Sequence, residues 1–436
     1  MASNVGELEE PGVSCAPASP RILTPVMVVS LWAAAAIIAV VVRGPVFVSI
    51  IRPPPGDFPD FVQEWVSGRN YWHGEPVYQP QRATVFRNTG FDYPDFETMM
   101  RWNAHPPVAV LAVLPFGLIA DYRAAHLVWN LCTLALFLTA VWLALRELGA
   151  RLHPWSVFPA ITLLLCADPV LSQLFQGQLN FLIAFLVVAG WVADRRDYQS
   201  LAGVAVGAAI ALKLFPGLLL VYFLGARRWR AAIVAILIAS GLNAIAAAAF
   251  GIEAFTTYIR EVIPSLEVFR NAWSNVSVAG YWRRVARSVG VPEVALIGLI
   301  CQGAVGLAIV WRSWRASTVE ERDQAYSLAV IGMLLASPVA WGHYFVLLAL
   351  PFLLLWWRLP IGSSRTFFLA LAGLFFLPVR IAAIWTMGRD PANELQNHLP
   401  APDGIDLSLG AFGLFTYALA AMFILTATAR IGKDAD

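Results

Sequence analysis

Runs of about twenty apolar residues recur through this chain, and they constrain its fold more than any other feature. Hydrophobic residues fill 59% of the 436 positions and charged residues only 13%, whereas a soluble domain carries about a quarter charged residues. Only helices satisfy their backbone hydrogen bonds in lipid one segment at a time. We therefore predict an all-α polytopic membrane protein with about 11–13 transmembrane helices. The apolar segments are 22–42, 107–120, 124–145, 155–171, 179–193, 199–212, 216–226, 231–250, 292–312, 325–340, 343–357, 366–387 and 409–429.

Short arginine-rich loops between these segments predict the orientation. Arg195, Arg196 and the cluster that begins at Arg227 are examples, and such loops remain in the cytoplasm. The opposite face then receives most of the polar loop residues, including one large extracytoplasmic loop over 43–106. The segment 107–120 breaks the alternation: either it is re-entrant, or the inside–outside assignment is wrong at this point.

The domain organisation follows from the same pattern. A single transmembrane domain is expected over 22–430, after a polar, disordered cytoplasmic tail over 1–21 and before a short cytoplasmic tail over 431–436. The first apolar segment acts as an uncleaved anchor, because no cleavable signal is recognisable. We expect a monomeric, multi-pass protein of a bacterial plasma membrane. Its apolar helices would be in contact with the lipid bilayer.

Charge and cysteine content exclude several classes of protein. The net charge is +2 and no long basic stripe occurs, so nucleic-acid binding has no support. The four cysteines are scattered, which argues against a disulfide framework or a structural metal. The six histidines are also far apart in the sequence, so no metal site is predicted.

The first outer loop carries the strongest local signal. Its residues 61–72 predict a short amphipathic helix resting on the outer leaflet, because aromatic residues recur there at helical spacing. Asp60 lies at the start of this helix, where a carboxylate can either cap the helix or act as a general base. Asp57 is an equal rival for either role on these grounds.

Charges within apolar surroundings are the next candidates. Lys213 stands in an otherwise uncharged stretch and Arg380 inside an apolar run, and a charge at such depth is functional by default. The alternative for Lys213 is snorkelling to the interface. His343 is expected at the outer end of a helix, either as a substrate ligand or as a histidine hydrogen-bonded at the interface.

Other polar residues allow both a functional and a structural interpretation. Gln176, Gln178 and Asn180 either bind sugar hydroxyls or cap a helix. Trp341 either stacks on a sugar or anchors the chain at the interface. Arg283 either grips a phosphate or belongs to an interfacial basic cluster. His105 precedes two prolines and is a secondary candidate.

Six short segments follow one another in an order that carries further information. They are Asp60-Phe61 with Arg69, Gly74 and Tyr78 nine, fourteen and eighteen residues after Asp60; His105-Pro106-Pro107; Gln176-Gly177-Gln178-Leu179-Asn180; Lys213-Leu214-Phe215-Pro216; Asn275 to Gly280 with Arg283 after it; and Ser337 to Tyr344. Together they resemble the pattern of polyprenol-phosphate-dependent membrane glycosyltransferases of family 87, which include bacterial α-mannosyltransferases. His105 replaces the tyrosine of that pattern, and Val276 replaces a glutamine.

This resemblance implies a GT-C fold, with the catalytic base in the first outer loop. By the family spacing the base is Asp60 rather than Asp57. The resemblance implies donor and phosphate binding by Lys213, His343 and Arg283. Sugar or acceptor binding is expected at Gln176, Gln178, Asn180, Trp341 and Asn275.

The resemblance implies transfer of a sugar, with mannose as the leading candidate, from a polyprenyl phosphate to a glycolipid or glycan acceptor. The transfer takes place on the extracytoplasmic face and inverts the configuration at C1 of the sugar. The polyprenyl-phosphate sugar is a substrate, and no cofactor is expected; a divalent ion bridging Asp60, His343 and the phosphate stays an open alternative. The rival functions are a polytopic transporter or lipid flippase and a GT-C arabinofuranosyltransferase. A transporter would place polar groups near mid-bilayer in paired broken helices, whereas here they collect at one face.

Overall fold

The computed structural model describes residues 25–51, 58–92, 94–98, 101–150, 153–379, 381, 384, 409–410 and 412–429, and these confirm the all-α polytopic class. The predictions for the two tails, Asp57 and Arg380 lie outside the described residues. The α-helices are α1 (Pro25–Ile51), α2 (Phe61–Trp72), α3 (Gln81–Thr89), α4 (Asp95–Thr98), α5 (Pro107–Val113), α6 (Tyr122–Glu147), α7 (Pro154–Cys166), α8 (Asp168–Gln176), α9 (Asn180–Arg195), α10 (Gln199–Leu212), α11 (Leu218–Gly225), α12 (Trp229–Phe250), α13 (Ile252–Thr257), α14 (Ile263–Ser265), α15 (Glu267–Arg270), α16 (Val278–Val289), α17 (Leu296–Arg315), α18 (Val319–Leu335), α19 (Ala349–Arg358), α20 (Ser363–Phe375) and α21 (Leu414–Thr428). Shorter turns are the 3₁₀ helices Leu114–Leu118, Phe215–Gly217, Pro292–Ala295 and Gly342–Leu348 and the π-helix Tyr258–Val262.

Four of these helices are long and apolar enough to cross a membrane, or up to five spans if the bent pair α7–α8 counts as one. That pair bends by 58°, where Pro169 follows the break. Several other apolar helices are shorter, so the predicted total of 11–13 spans stays a prediction. The long helices expose much of their apolar surface, which is the expected state of a helix that faces lipid.

The segment 107–120 is too short to cross a bilayer. Pro107–Val113 and Leu114–Leu118 are consecutive helical pieces, and both pack against α2. Twelve residues of helix span about 18 Å, against about 30 Å of hydrocarbon. This geometry supports the re-entrant interpretation.

Ion pairs cluster where α6, α9 and α18 meet, at one end of the helix bundle. Arg195 pairs there with Asp323, and Arg196 Nη2 lies 2.6 Å from Glu147 Oε2. Asp323 also accepts a hydrogen bond from Trp191 Nε1 at 2.8 Å. Buried charges need such partners, so this end of the bundle is held together by charge as well as by packing.

The helix after Asp60 exists as predicted, but it is not on a lipid surface. Phe61 and Trp65 of α2 are fully buried, and the protein covers most of the helix. Phe61 stacks on Trp129 with ring centroids 5.6 Å apart, and Trp65 meets Tyr122 at 5.3 Å. Helical spacing identifies an aromatic face; it cannot tell whether lipid or the aromatic residues of α6 cover that face.

The close approach of Gly68 and Gly117 determines how near α2 lies to the segment 107–120. A Cβ added at Gly117 would lie 2.7 Å from the carbonyl carbon of Gly68, which is closer than nonbonded atoms allow. Trp65 Nε1 donates to Ile119 O at 3.0 Å, and Trp72 Nε1 donates to Leu114 O at 2.8 Å. The close backbone approach and the two hydrogen bonds therefore hold α2 against the segment 107–120.

Gly117→Ala is expected to lower the unfolding temperature, because the methyl group must push α2 away at a cost of about 1–3 kcal/mol. Thermal unfolding of the purified protein in detergent measures this. Gly217→Ala is the matched control, since its added Cβ meets nothing within 4 Å. Equal unfolding temperatures for the two variants would contradict the close contact.

Helices α10 and α12 also approach closely, and this positions the end of α10. A Cβ at Gly203 would lie 2.5 Å from Ala231 O, and one at Gly207 would lie 2.5 Å from Ala235 O. Small residues four apart allow two membrane helices to pack backbone to backbone. The tight pair fixes Lys213, which immediately follows α10.

Candidate functional site

A cavity of about 770 Å³ lies along α8, beside the C-terminal part of α1 and the end of α10, and against the stretch that follows α13. This volume is in the range of small-molecule sites. The cavity brings together seven residues that the sequence predicts for the site, from five separate segments. They are Asp60, His105, Gln176, Gln178, Lys213, Trp341 and His343.

Asp60 does not cap α2. It precedes the helix with helical backbone angles, and its side chain makes no capping hydrogen bond, so the N-cap alternative is wrong. Its Oδ2 instead accepts a hydrogen bond from Gln178 Nε2 at 2.6 Å. Its backbone N–H donates to Gln176 Oε1 at 3.3 Å. Two glutamines from α8 and the turn after it therefore hold Asp60 at the cavity wall.

The turn between these glutamines requires glycine. Gly177 ends α8 with φ +61°, in the left-handed region that side chains rarely adopt. A Cβ there would also lie 2.7 Å from Phe61 Cβ and 2.9 Å from the His126 ring. The sharp turn lets Gln176 reach the backbone of Asp60 while Gln178 reaches its carboxylate.

Lys213 lies on the other side of Gln178. Its Nζ donates to Gln178 Oε1 at 2.5 Å and to Asn180 Oδ1 and Tyr344 Oη, each at 3.4 Å. Nζ also lies 4.7 Å from the centroid of the Tyr344 ring, within the range of a cation–π contact. The residue is only 6% exposed. Snorkelling to the interface is thus wrong for this lysine, which is held inside the protein.

The Gln178 amide bridges the cation and the carboxylate. Its oxygen accepts from Lys213 and its nitrogen donates to Asp60, which fixes the amide orientation. The positive charge is near the carboxylate, yet an amide dipole separates the two groups. This arrangement positions a carboxylate without neutralising it in a direct ion pair.

Two aromatic segments complete the wall. His343 and Trp341 lie at the start of the 3₁₀ helix Gly342–Leu348, and both line the cavity. Trp341 meets Phe269 edge to face with centroids 6.1 Å apart. His105 also lines the cavity, and its Nδ1 lies against Glu64 Oε1.

Three predicted residues do not line the cavity. Asn180 accepts a hydrogen bond from Lys213, and Asn275 is fully buried. Asn275 Oδ1 accepts from Ala340 N at 3.0 Å, so it fixes the loop before Trp341. Arg283 pairs with Glu267 at 2.5 Å outside the cavity. The direct ligand roles expected for these three have no geometric support.

Several cavity residues were not predicted. Gln63 of α2 lines the cavity, and its neighbour Glu64, which does not, contacts the lining residue His105. Asp168 lies within the apolar run 155–171, where a carboxylate should have been suspected; it pairs with Arg43 at 2.6 Å. Arg270 also lines the cavity, and no signal in the sequence distinguished it.

Within the described part of the chain, no three His, Cys, Asp or Glu side chains are grouped so that they could hold a metal ion. The cavity residues instead offer amide, ammonium and imidazole groups, which suit sugar hydroxyls and phosphate oxygens. Whether the reaction needs a divalent ion stays a prediction.

A carboxylate next to a lysine, in a cavity with an aromatic wall, suits transfer of a sugar, and comparison with known proteins identifies the family. The model of glycosyltransferase family 87 matches residues 103–338, more than half of the chain. The chain belongs to glycosyltransferase family 87. It is therefore a membrane glycosyltransferase, and the transporter and flippase alternatives are set aside.

The named proteins that are similar in sequence to this glycosyltransferase include mycobacterial enzymes. A polyprenol-phosphate-mannose-dependent α-(1-2)-phosphatidylinositol mannoside mannosyltransferase of Mycolicibacterium smegmatis is 27% identical over 68% of this chain and 67% of its own length. A polyprenol-phosphate-mannose-dependent α-(1-2)-phosphatidylinositol pentamannoside mannosyltransferase of Mycobacterium tuberculosis is 26% identical over 59% of this chain and 56% of its own length. An α-(1->3)-arabinofuranosyltransferase of Mycobacterium tuberculosis is 28% identical over 39% of this chain and 40% of its own.

The matches to the first relatives thus span between 56% and 67% of their lengths. No solved structure matches the glycosyltransferase. The roles of individual residues in this chain are therefore inferred from the geometry of the cavity.

Proposed function

We propose that this glycosyltransferase moves mannose from polyprenyl phosphomannose to a hydroxyl group of a glycolipid or glycan acceptor, with Asp60 as general base. The observation that carries the proposal is the chain of contacts from Asp60 through Gln178 to Lys213 in the wall of the cavity. It provides a proton acceptor and a positive charge within one small-molecule site. The polyprenol-phosphate-mannose dependence of the mycobacterial relatives supports the choice of donor.

In the proposed reaction the acceptor hydroxyl oxygen attacks C1 of the donor sugar. The new C1–O bond forms as the bond from C1 to the phosphate oxygen breaks, and the phosphate leaves with the electron pair. Asp60 takes the hydroxyl proton, which contributes about 10²–10⁴-fold. One displacement inverts C1, and no second carboxylate is required as a nucleophile.

The leaving phosphate gains negative charge during this step. A positive charge already fixed nearby stabilises the transition state more than the ground state. Lys213 supplies such a charge without reorganisation, because Gln178, Asn180 and Tyr344 hold its Nζ.

The cavity also has an apolar wall that suits a prenyl chain. Val46 and Ile50 of α1, together with Leu171, Leu214 and Phe215, line it. Leu214 is 73% exposed on the outer surface, next to Lys213. A lipid-linked donor placed here would keep its chain against apolar residues and its phosphate beside polar ones.

The orientation of the enzyme is part of the proposal. Arg195 and Arg196 belong to the end of the bundle at which α9 finishes, whereas the cavity is lined by Gln178, just before the start of α9. Because arginine-rich loops stay in the cytoplasm, the cavity would open on the extracytoplasmic face of the plasma membrane.

Arabinofuranose is the alternative sugar, since an arabinofuranosyltransferase matches over 179 residues. Radiolabelled polyprenyl phosphomannose and polyprenyl phosphoarabinose, each given to membranes with and without the protein, separate the two. We expect protein-dependent transfer from the mannose donor. Transfer from the arabinose donor alone would replace mannose, and no transfer from either would overturn the proposal.

A further inference from the structure

An exposed group of arginines and tryptophans lies at the end of the helix bundle away from the cavity. Leu214 and Phe215, which precede α11, line the cavity, whereas this group begins after α11 ends. Its members come from the turn after α11, the start of α12 and the end of α17: Arg227, Trp229, Arg230, Trp311, Trp314 and Arg315. We refer to these six residues as the arginine–tryptophan patch.

Close packing of α11 on α17 brings the turn after α11 to the end of α17. A Cβ at Gly225, the last residue of α11, would lie 2.8 Å from Ser313 Cβ, so this end of α11 rests directly on α17. Arg227 follows two residues later, and its Cζ lies 4.1 Å from the centroid of the Trp314 ring. This distance allows a cation–π attraction between the two side chains.

A second guanidinium group lies beside the first. Arg315 Cζ is 4.8 Å from the centroid of the Trp311 ring. Trp311 and Trp314 are three residues apart on α17, so their rings are neighbours on its surface. The two rings therefore hold the positive charges of Arg227 and Arg315 near each other, and an anion bound between them would relieve their repulsion.

The three arginines of the patch have neither an acidic partner nor a hydrogen-bond acceptor for their side chains within the described residues. Arg228, which stands among them in the sequence, is different: its Nε lies 3.1 Å from Asp194 Oδ1, and it also pairs with Asp197. Stacking on a ring uses the flat face of a guanidinium and leaves its N–H edge free to donate. The patch therefore presents a positive surface with free hydrogen-bond donors.

The backbone at Arg227 supports a role for its side chain. Its φ is +58°, in the left-handed region that favours glycine. The turn is closed by Arg228 N, which donates to Phe223 O at 2.7 Å. Residues other than glycine that are held in this conformation cluster at functional sites, and here that residue is the arginine that stacks on Trp314.

The patch lies where lipid headgroups are expected. It stands at the start of α12 and the end of α17, which are both long and apolar enough to cross a membrane, and tryptophan favours the membrane interface. Guanidinium groups bind phosphate through paired hydrogen bonds, and basic pockets between transmembrane helices bind acidic headgroups. Ile233 of α12 and Leu307 of α17 are exposed and continue the surface along the two helices, where acyl chains can pack.

We propose that the arginine–tryptophan patch binds the headgroup phosphate of an anionic phospholipid of the surrounding leaflet. Arg227 and Arg315 bind the phosphate oxygens, and Arg230 adds positive charge beside them. The acyl chains pack against Ile233 and Leu307. The site is separate from the sugar-transfer cavity, so the lipid that it holds is not a substrate. In the orientation proposed above, this leaflet is the cytoplasmic one.

Native mass spectrometry of the full-length protein in detergent, titrated with single lipids, tests the proposal. Dioleoyl phosphatidylglycerol is compared with dioleoyl phosphatidylcholine, which has the same chains and a phosphate but no net charge. The wild type should bind the first phosphatidylglycerol molecule about tenfold more tightly than phosphatidylcholine. Arg227→Gln/Arg315→Gln should weaken phosphatidylglycerol binding about tenfold or more, because each arginine near a headgroup contributes about fivefold. Its binding of phosphatidylcholine should change little.

Arg146→Gln/Arg196→Gln is the matched control, because it removes two exposed arginines from the same end of the bundle but outside the patch. Arg146 stacks on Trp142, and Arg196 pairs with Glu147. This variant should bind both lipids like the wild type. If the double variant of the patch unfolds, Arg315→Gln alone serves the test, since no described protein group holds that side chain by a hydrogen bond; it should lose about fivefold in phosphatidylglycerol affinity.

Three outcomes would overturn the proposal: equal wild-type affinity for the two lipids, undiminished phosphatidylglycerol binding by the patch variants, or an equal loss in the control variant. Displacement of phosphatidylglycerol by an excess of inorganic phosphate would also overturn it, because the patch would then bind a free anion rather than a lipid.

Discussion

Replacing Asp60 by asparagine is expected to reduce mannosyl transfer by about 100-fold or more, since removing a general base costs about 10²–10⁴-fold. The amide oxygen of asparagine can still accept the hydrogen bond that Gln178 Nε2 gives at 2.6 Å. The cavity should therefore keep its shape while it loses the group that takes the proton. Initial rates with radiolabelled polyprenyl phosphomannose, in membranes with equal amounts of protein, measure the effect.

The matched control for this variant is Asp92→Asn. Asp92 is an exposed carboxylate of the same outer loop, and Arg82 Nε donates to it at 2.6 Å. It does not line the cavity, so transfer should be unchanged. Wild-type transfer by Asp60→Asn would place the base elsewhere, and Asp57 would be tested next.

Binding of polyprenyl phosphate separates loss of chemistry from loss of the site. Asp60→Asn should bind this product at least as well as the wild type, because the substitution removes a negative charge near an anion. Weaker binding together with slower transfer would indicate a damaged cavity instead of a missing base.

The helical class and the order of the site segments could be predicted from the sequence, because both depend on local pattern. Apolar runs identify helices wherever lipid is the solvent. Gln178 and Lys213 were found because each stands in a short segment typical of the family, or is a charge where charges are costly. Such signals need no knowledge of which elements are neighbours.

The contacts that define the site depend on neighbours far apart in sequence, and these could not be predicted. Glu64 and His105 are separated by 41 positions, and Arg43 and Asp168 by 125. An aromatic helix face has the same pattern whether lipid or α6 covers it, which is why α2 was expected at the membrane surface. Arg283 was chosen by its place in a segment, although its side chain turns toward Glu267.

The arginines and the histidine His105 that line the cavity each lie beside an acidic side chain. Arg43 pairs with Asp168 at 2.6 Å, Arg270 with Glu267 at 2.8 Å, and His105 with Glu64. Such pairing lowers the cost of keeping charge in a poorly hydrated site. Lys213 differs, because its hydrogen-bond partners are neutral groups, and its charge is therefore the one most available to an incoming phosphate.

Lys213→Met is accordingly expected to reduce transfer by about 100-fold, the order of loss found when one preorganised electrostatic group is removed from a transition state. Methionine has a similar length and fills the same space, but it leaves the leaving phosphate without this charge. The measurement is the maximal rate of transfer at saturating donor, together with the unfolding temperature.

The unfolding temperature distinguishes a functional lysine from a structural one. Burying an ammonium is costly, so methionine relieves that cost while leaving Gln178 with one lost partner, and the two changes nearly offset. Tyr344→Phe is the matched control, because it removes only the hydroxyl that Nζ reaches at 3.4 Å and leaves the ring beneath the charge. It should slow transfer only a few-fold. If Lys213→Met unfolded far below the wild type, or transferred mannose as fast, the lysine would hold the cavity together rather than stabilise the departing phosphate.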